Sequence, residues 1–122
     1  MRAEDVLSRY EALINRHDFD LLLPLLSKEA IFWFNDGSHS GLDEIRKAFE
    51  ETWKKFPLER YWLEDRRWLA MGEAAAGCVY RFCWQTTRDG RMLSGGGRGT
   101  TLLRAEAGTW RIVHEHLSQF PK

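Results

Sequence analysis

The stretch from Ala74 to Gln85 alternates so regularly that it constrains the whole chain. Its even positions are Ala74, Ala76, Cys78, Tyr80, Phe82 and Trp84, apolar but for one hydroxyl. Its odd positions are Ala75, Gly77, Val79, Arg81, Cys83 and Gln85, small or apolar but for Arg81 in the middle and Gln85 at the end. Successive side chains of a strand point to opposite faces, so this period predicts a long strand from Ala74 to Thr87. Arg88-Asp89-Gly90-Arg91 then carries the Asp-Gly signal of a hairpin. Met92 to Arg104 is the returning partner, and Thr109 to about Ser118 follows it after Glu106-Ala107-Gly108. A strand of such length would extend about 45 Å if flat, more than a small domain needs. The sheet therefore has to curl, and Gly95-Gly96-Gly97 is the expected place for much of the bend.

Ahead of this run the period is helical. Val6, Tyr10, Leu13 and Ile14 predict a helix from Ala3 to about Arg16, with Glu4 and Asp5 in its positive first turn. Asp18 is placed to cap a short helix through Leu23, and Pro24 bends or ends it, with Leu25-Leu26-Ser27 expected as one further turn. Ala30 to Asn35 is a short aromatic strand, followed by turn residues Asn35-Asp36-Gly37-Ser38 and a weakly signalled strand at Ser38 to Ser40. Leu42, Ile45, Phe49 and Trp53 form one apolar stripe of a helix that Pro57 closes. Tyr61 to Leu69 is the first of the long strands. Helices gathered early and antiparallel strands late predict an α+β layer fold: a curved antiparallel sheet wrapped around N-terminal helices with an internal pocket.

Composition narrows the function classes. A chain of 122 residues suits one domain, 1–122, with a core that folds without staples. Eighteen basic and eighteen acidic residues cancel, so no net field draws nucleic acid or anionic lipid. No apolar stretch reaches signal-peptide or membrane-spanning length. Cys78 and Cys83, five apart on a strand, face opposite ways and suit free thiols in a reducing compartment; a cytoplasmic location is expected. Six tryptophans exceed what a core this small needs and call for an interface or an aromatic pocket.

Parity suggests where the two faces go. A freely exposed Tyr80-Phe82-Trp84 row would be an aggregation hazard, so it is expected to meet a second subunit, together with Trp110, Ile112 and His114. The other face, with Arg81, Arg98 and Glu115 from three successive strands, is expected to line the pocket. Glu115 satisfies one or both arginines as an internal salt bridge, or one arginine remains partly free for a carboxylate-bearing ligand, or one or both side chains reach solvent. Trp33 and Tyr10 complete the expected ligand-binding set. Glu115, Asp36 and Tyr10 are the candidate catalytic residues, an acid held against an apolar wall being suited to proton transfer. Turn capping by Asp36 and simple core packing by Tyr10 are the plainer alternatives. His114 and His116 point the same way on a strand, but no third ligand is evident, and no metal or cofactor is expected. Motifs for phosphate-cradling loops, GxSxG elbows and CxxC pairs are absent.

Trp110 to Ser118 resembles the closing strand of the SnoaL-like and nuclear-transport-factor-like superfamily, nearest to the association-domain group of calcium/calmodulin-dependent kinase II. Phe32 to Gly37, Gly41-Leu42 and Gly97-Arg98-Gly99-Thr100 match the same pattern in order. The resemblance implies a cone-shaped α+β barrel and a homodimer formed through the sheet. It also implies either a pocket for a small organic ligand, neutral or anionic, as in cofactor-independent isomerases, cyclases and dehydratases, or a non-catalytic assembly domain. Pocket arginines of the association-domain group correspond to Arg81 and Arg98, while a third position carries Leu117, a departure that lowers the expected anion affinity. The isomerase-like members use an acidic base with an oxyanion-stabilising tyrosine and acid; Tyr10 stands near the place of that tyrosine, but no residues match its acidic companions.

Overall fold

The computed structural model describes residues 1–122. Helix α1 spans Ala3–Ile14, and its first turn is closed by the Arg2 amide donating to Asp5 Oδ2 at 3.0 Å. Two 3-10 turns follow, Phe19–Leu21 and Leu23–Leu25, the first capped by Asp18 accepting from the Asp20 amide. The further turn expected at Leu25-Leu26-Ser27 is instead the start of strand β1, Leu26–Phe34. Strand β2 is Gly37–Ser40 and helix α2 is Leu42–Lys55. The long strands are β3, Arg60–Met71; β4, Ala75–Arg88; β5, Arg91–Glu106; and β6, Thr109–Gln119.

All six strands form one sheet in the order β2-β1-β6-β5-β4-β3. Every pairing is antiparallel except β1 with β6, which is parallel and closes the N-terminal hairpin onto the last strand. The apolar stripe of α2, with Ile45, Phe49 and Trp53 buried, and the α1 residues Val6, Leu7 and Tyr10 cover one face of this sheet. Fully burying a side chain of that size contributes about 1.5–3 kcal/mol relative to leaving it exposed.

Two irregularities decide which side chains face the helices. In β6, Leu102 pairs with His114 but Leu103 pairs with Ile112, so Val113 is one residue too many and forms a bulge. Ile112 and Glu115 consequently both point inward. In β3 a bulge between Glu64 and Arg67, with Asp65 at φ 55°, turns Arg66 toward α1, where it contacts Glu11 and Ser8.

The glycine run has a more specific role than bending. A Cβ on Gly97 would run into the Ser118 carbonyl oxygen and the Phe82 ring, and one on Gly99 would strike the Tyr80 ring. The glycines leave the room that the Phe82 and Tyr80 rings occupy against β5.

Candidate functional site

Tyr80, Phe82, Trp84 and Ile112, expected at a subunit contact, point inward instead. Tyr80 and Phe82 are buried in the core, Ile112 is fully buried, and Trp84 and Trp110 pack half-buried against it. The correction has a plain cause: the aromatic row is the side that the two helices cover, and no second chain is needed to shield it. Arg81 is exposed on the opposite face, as is Arg98. Glu115 shares the inner face with Tyr80, because the Val113 bulge reverses the alternation. The three ionic groups expected together are therefore divided by the sheet. Trp33, expected in the pocket, is 45% exposed and lies edge-on to His114 and His116 on the outer side, at 4.9 and 5.6 Å between ring centroids. Of the expected contact residues only His114 lies there, its Nδ1 2.6 Å from the Ile31 carbonyl oxygen. No three His, Cys, Asp or Glu side chains converge in a metal-binding group. Both cysteines are free.

The inner face does enclose a cavity, of about 460 Å³, between α2, the end of α1 and the mouths of β1, β3, β4 and β6. Its walls are chiefly aromatic: Phe34, Phe49, Trp53, Phe56, Tyr61, Phe82 and Trp84. His17 stacks on Trp53 at 5.1 Å with planes 9° apart, and its Nε2 lies 3.0 Å from the Glu59 carbonyl oxygen. Asp36 sits at the exposed rim, delivered by the turn between β1 and β2. No arginine or lysine lines this space.

Glu115 lies in the cavity wall, buried to 1% exposure. Its Oε1 has no hydrogen-bond partner. Burial pushes its pKa up to about 8, and the nearby Tyr10 hydroxyl opposes part of that rise. Tyr10 Oη itself meets no partner at normal hydrogen-bond geometry, so its effect is that of a close polar neighbour and not of a formed bond. Burial first, and then the Glu115 charge, hold the Tyr10 hydroxyl well above the ordinary phenol range. Tyr80 is raised in the same way, while its hydroxyl bonds Thr101 Oγ1 at 2.8 Å.

Tyr61 is the residue that sequence reasoning passed over. It stacks on Phe82 at 6.2 Å, and its hydroxyl is buried without a partner at the cavity. Asn15 fixes its backbone by donating to the Tyr61 carbonyl at 2.8 Å and accepting from the Tyr61 amide at 2.7 Å. The signal was available, since Tyr61 and Leu63 open the inward alternation of β3. His17, also in the wall, adopts φ 53° just past α1, a placement with no sequence pattern behind it.

Sheet, helices and cavity acquire a relationship through comparison with known proteins. The family model described as SnoaL-like domain matches residues 3–122. The chain belongs to the SnoaL-like domain family. This SnoaL-like chain is similar in structure to a nuclear transport factor 2-like superfamily protein from Salmonella enterica serovar Typhimurium. The two share 24% identity at a TM-score of 0.86, over 97% of this chain and 88% of that one. A cystatin-like-fold protein from Caulobacter vibrioides gives 19% identity and 0.82, over 97% and 87%. The association domain of calcium/calmodulin-dependent kinase II from C. elegans gives 18% and 0.77, over 94% and 91%. At these identities the likeness is one of fold, the cystatin-like α+β arrangement. No curated protein matches the SnoaL-like chain in sequence. No helix is long and apolar enough to cross a membrane.

Proposed function

We propose that the inner cavity binds a small, mostly apolar, ring-bearing molecule and that Glu115 moves a proton on it without a cofactor. One observation carries this reading: a buried carboxyl with an unpartnered oxygen, raised to about 8, in the wall of an aromatic cavity. An unsatisfied carboxyl costs stability, and perturbed groups of this kind gather at functional sites. At pH 7 such a group is mostly neutral, so Glu115 begins as a proton donor. The Tyr61 hydroxyl is free to hydrogen-bond a ligand oxygen as charge develops on it. Tyr10 acts on Glu115 and not on the ligand; Asp36 at the rim meets a polar end of the ligand. Among isomerisation, cyclisation and dehydration, this arrangement favours the last two, in which Glu115 gives its proton to a carbonyl or a leaving hydroxyl and the carboxylate so formed takes up the α-proton that the substrate loses. The absence of cationic side chains in the wall favours a neutral ligand.

The experiment is turnover of a panel of cyclic β-hydroxy ketones, followed by NMR. Glu115→Gln should lose about 100-fold or more, while an apolar fluorescent probe still enters the cavity. Turnover should fall as pH rises through about 8. Equal turnover in Glu115→Gln, or in an Ala48→Trp variant that fills the cavity, would overturn the reading.

A second role is supported by the outer face. Ile31 and Trp33 on β1 and Leu102 on β5 are 40%, 45% and 43% exposed on either side of β6, apolar side chains on a side that no helix covers. The reading is a homodimer through this face of the sheet, compatible with a ligand in the inner cavity or with a purely assembling role.

A further inference from the structure

The mouth of the inner cavity is polar where its interior is aromatic. Asn35 and Asp36 line it from the turn between β1 and β2, Glu59 from the connection between α2 and β3, and Gln119 from the end of β6. Asn35, Asp36 and Gln119 are exposed and Glu59 is half-buried, so these four side chains form the rim and not the interior. Two are carboxylates and two are carboxamides, and no arginine or lysine stands among them. Neither Asp36 nor Glu59 belongs to any ion pair of the chain.

Trp84 lies at the same end of the sheet. Strand β6 ends at Gln119, opposite Gly97, whereas Trp84 pairs with Gly95, two residues beyond that point. A Cβ on Gly95 would strike the Trp84 indole, so one face of the ring rests against β5. The same ring lines the cavity, which leaves its other face to a ligand. Burial raises the Glu59 pKa, the mark of a carboxylate partly stripped of water. A hydrogen-bond donor brought by a ligand replaces what that group has lost. Deeper in, the unpartnered oxygens of Glu115 and Tyr61 await the other end of the same molecule.

We infer that the mouth holds a neutral polyhydroxylated ring, so that the cavity takes a glycoside with its apolar ring inside and its sugar at the rim. This rests on the reading of the inner cavity as a ligand site. A carboxylate only accepts hydrogen bonds, while a carboxamide both donates and accepts. A sugar hydroxyl also does both, so Asp36 and Glu59 accept from it while Asn35 and Gln119 donate to its oxygens. The C–H face of a sugar ring is apolar and fits the open face of Trp84. An anionic end would meet two like charges and no cation. A bare hydrocarbon end would strip water from the rim groups and give no hydrogen bond in return. A cavity of about 460 Å³ has room for both rings.

The test compares 2-naphthol, its neutral β-glucoside and its anionic β-glucuronide by calorimetric titration. The glucoside should bind about tenfold more tightly than 2-naphthol, as one or two hydrogen bonds to charged groups would give. The glucuronide should bind more weakly than the glucoside by a similar factor. In the double variant Asp36→Asn/Glu59→Gln that second margin should disappear, chiefly because the glucuronide binds more tightly, a gain that a damaged fold does not produce. Glu115→Gln should keep the glucoside's margin over 2-naphthol, since the sugar does not reach that carboxyl. A glucoside no tighter than 2-naphthol, a glucuronide that binds as well as the glucoside, or an unchanged margin in the double variant would overturn the inference while 2-naphthol still occupies the cavity. Failure of all three probes to bind, or binding that Ala48→Trp leaves unchanged, would overturn the inner ligand site itself and the inference with it.

Discussion

Thr101 and Glu115 are paired residues of β5 and β6, both fully buried, yet they do not satisfy each other. The Thr101 hydroxyl is engaged with Tyr80 at 2.8 Å, and Glu115 Oε1 is left with no partner. A core usually avoids such an arrangement, because a buried unpaired acid is costly. Its presence here is the reason the cavity, and not the outer face, carries the proposed chemistry.

The first consequence is a pH dependence of stability. The folded-state pKa of Glu115, about 8, lies above its ordinary value of 4.5. The unfolded chain therefore releases this proton at lower pH than the folded one. Stability contributed by the protonated side chain is whole below about 4.5 and is lost progressively as pH rises to about 8. Urea unfolding of the parent chain should show a decline across that window, amounting to several kcal/mol. Glu115→Gln should lack this component, and an identical pH profile in the two proteins would contradict the assignment.

Burial of the aromatic row gives the second. Phe82 stacks on Tyr61 inside the core. Phe82→Ala should cost about 3–5 kcal/mol of stability, measured by chemical denaturation, without changing the oligomeric state. Loss of association at unchanged monomer stability would restore Phe82 to a subunit contact.

Close packing at the glycines gives the third. Gly97→Ala places a methyl against the Ser118 carbonyl and the Phe82 ring. It should destabilise by about 1–3 kcal/mol. Hydrogen exchange should show the damage concentrated in the β5–β6 ladder around Gly97 and Gln119, which are register partners. Protection lost evenly over the whole sheet would argue for a different cause.

The fourth concerns the exposed patch. Trp33 is the largest outward apolar side chain beside Ile31 and touches both His114 and His116. Sedimentation at micromolar concentration should find a dimer of the parent chain and a folded monomer of Trp33→Glu. A parent chain that sediments as a monomer removes the outer face as a subunit contact.

Local information was legible in the residues themselves. The stripe of Ile45, Phe49 and Trp53 announced α2, Asp89-Gly90 announced the β4–β5 hairpin, and the alternation from Ala74 to Gln85 separated Tyr80 from Arg81 correctly. Each of these is a property of neighbours within a few positions, where backbone geometry and side-chain period act directly. The site was only partly legible. Glu115, Tyr10 and Asp36 were picked out, but as companions of arginines that the folded chain sends the other way.

What the tertiary structure alone decided was which face meets the helices, and where alternation breaks. Parity sorts side chains into two sets without saying which set is inside. The helices cover the aromatic set because that burial removes more apolar surface from water than covering the arginine side would. A bulge such as Val113 appears only when two strands are aligned, since the extra residue is extra relative to a partner. That one residue turns Glu115 from the surface into the cavity, so the placement of the central acid belongs to strand pairing and not to the sequence pattern of β6.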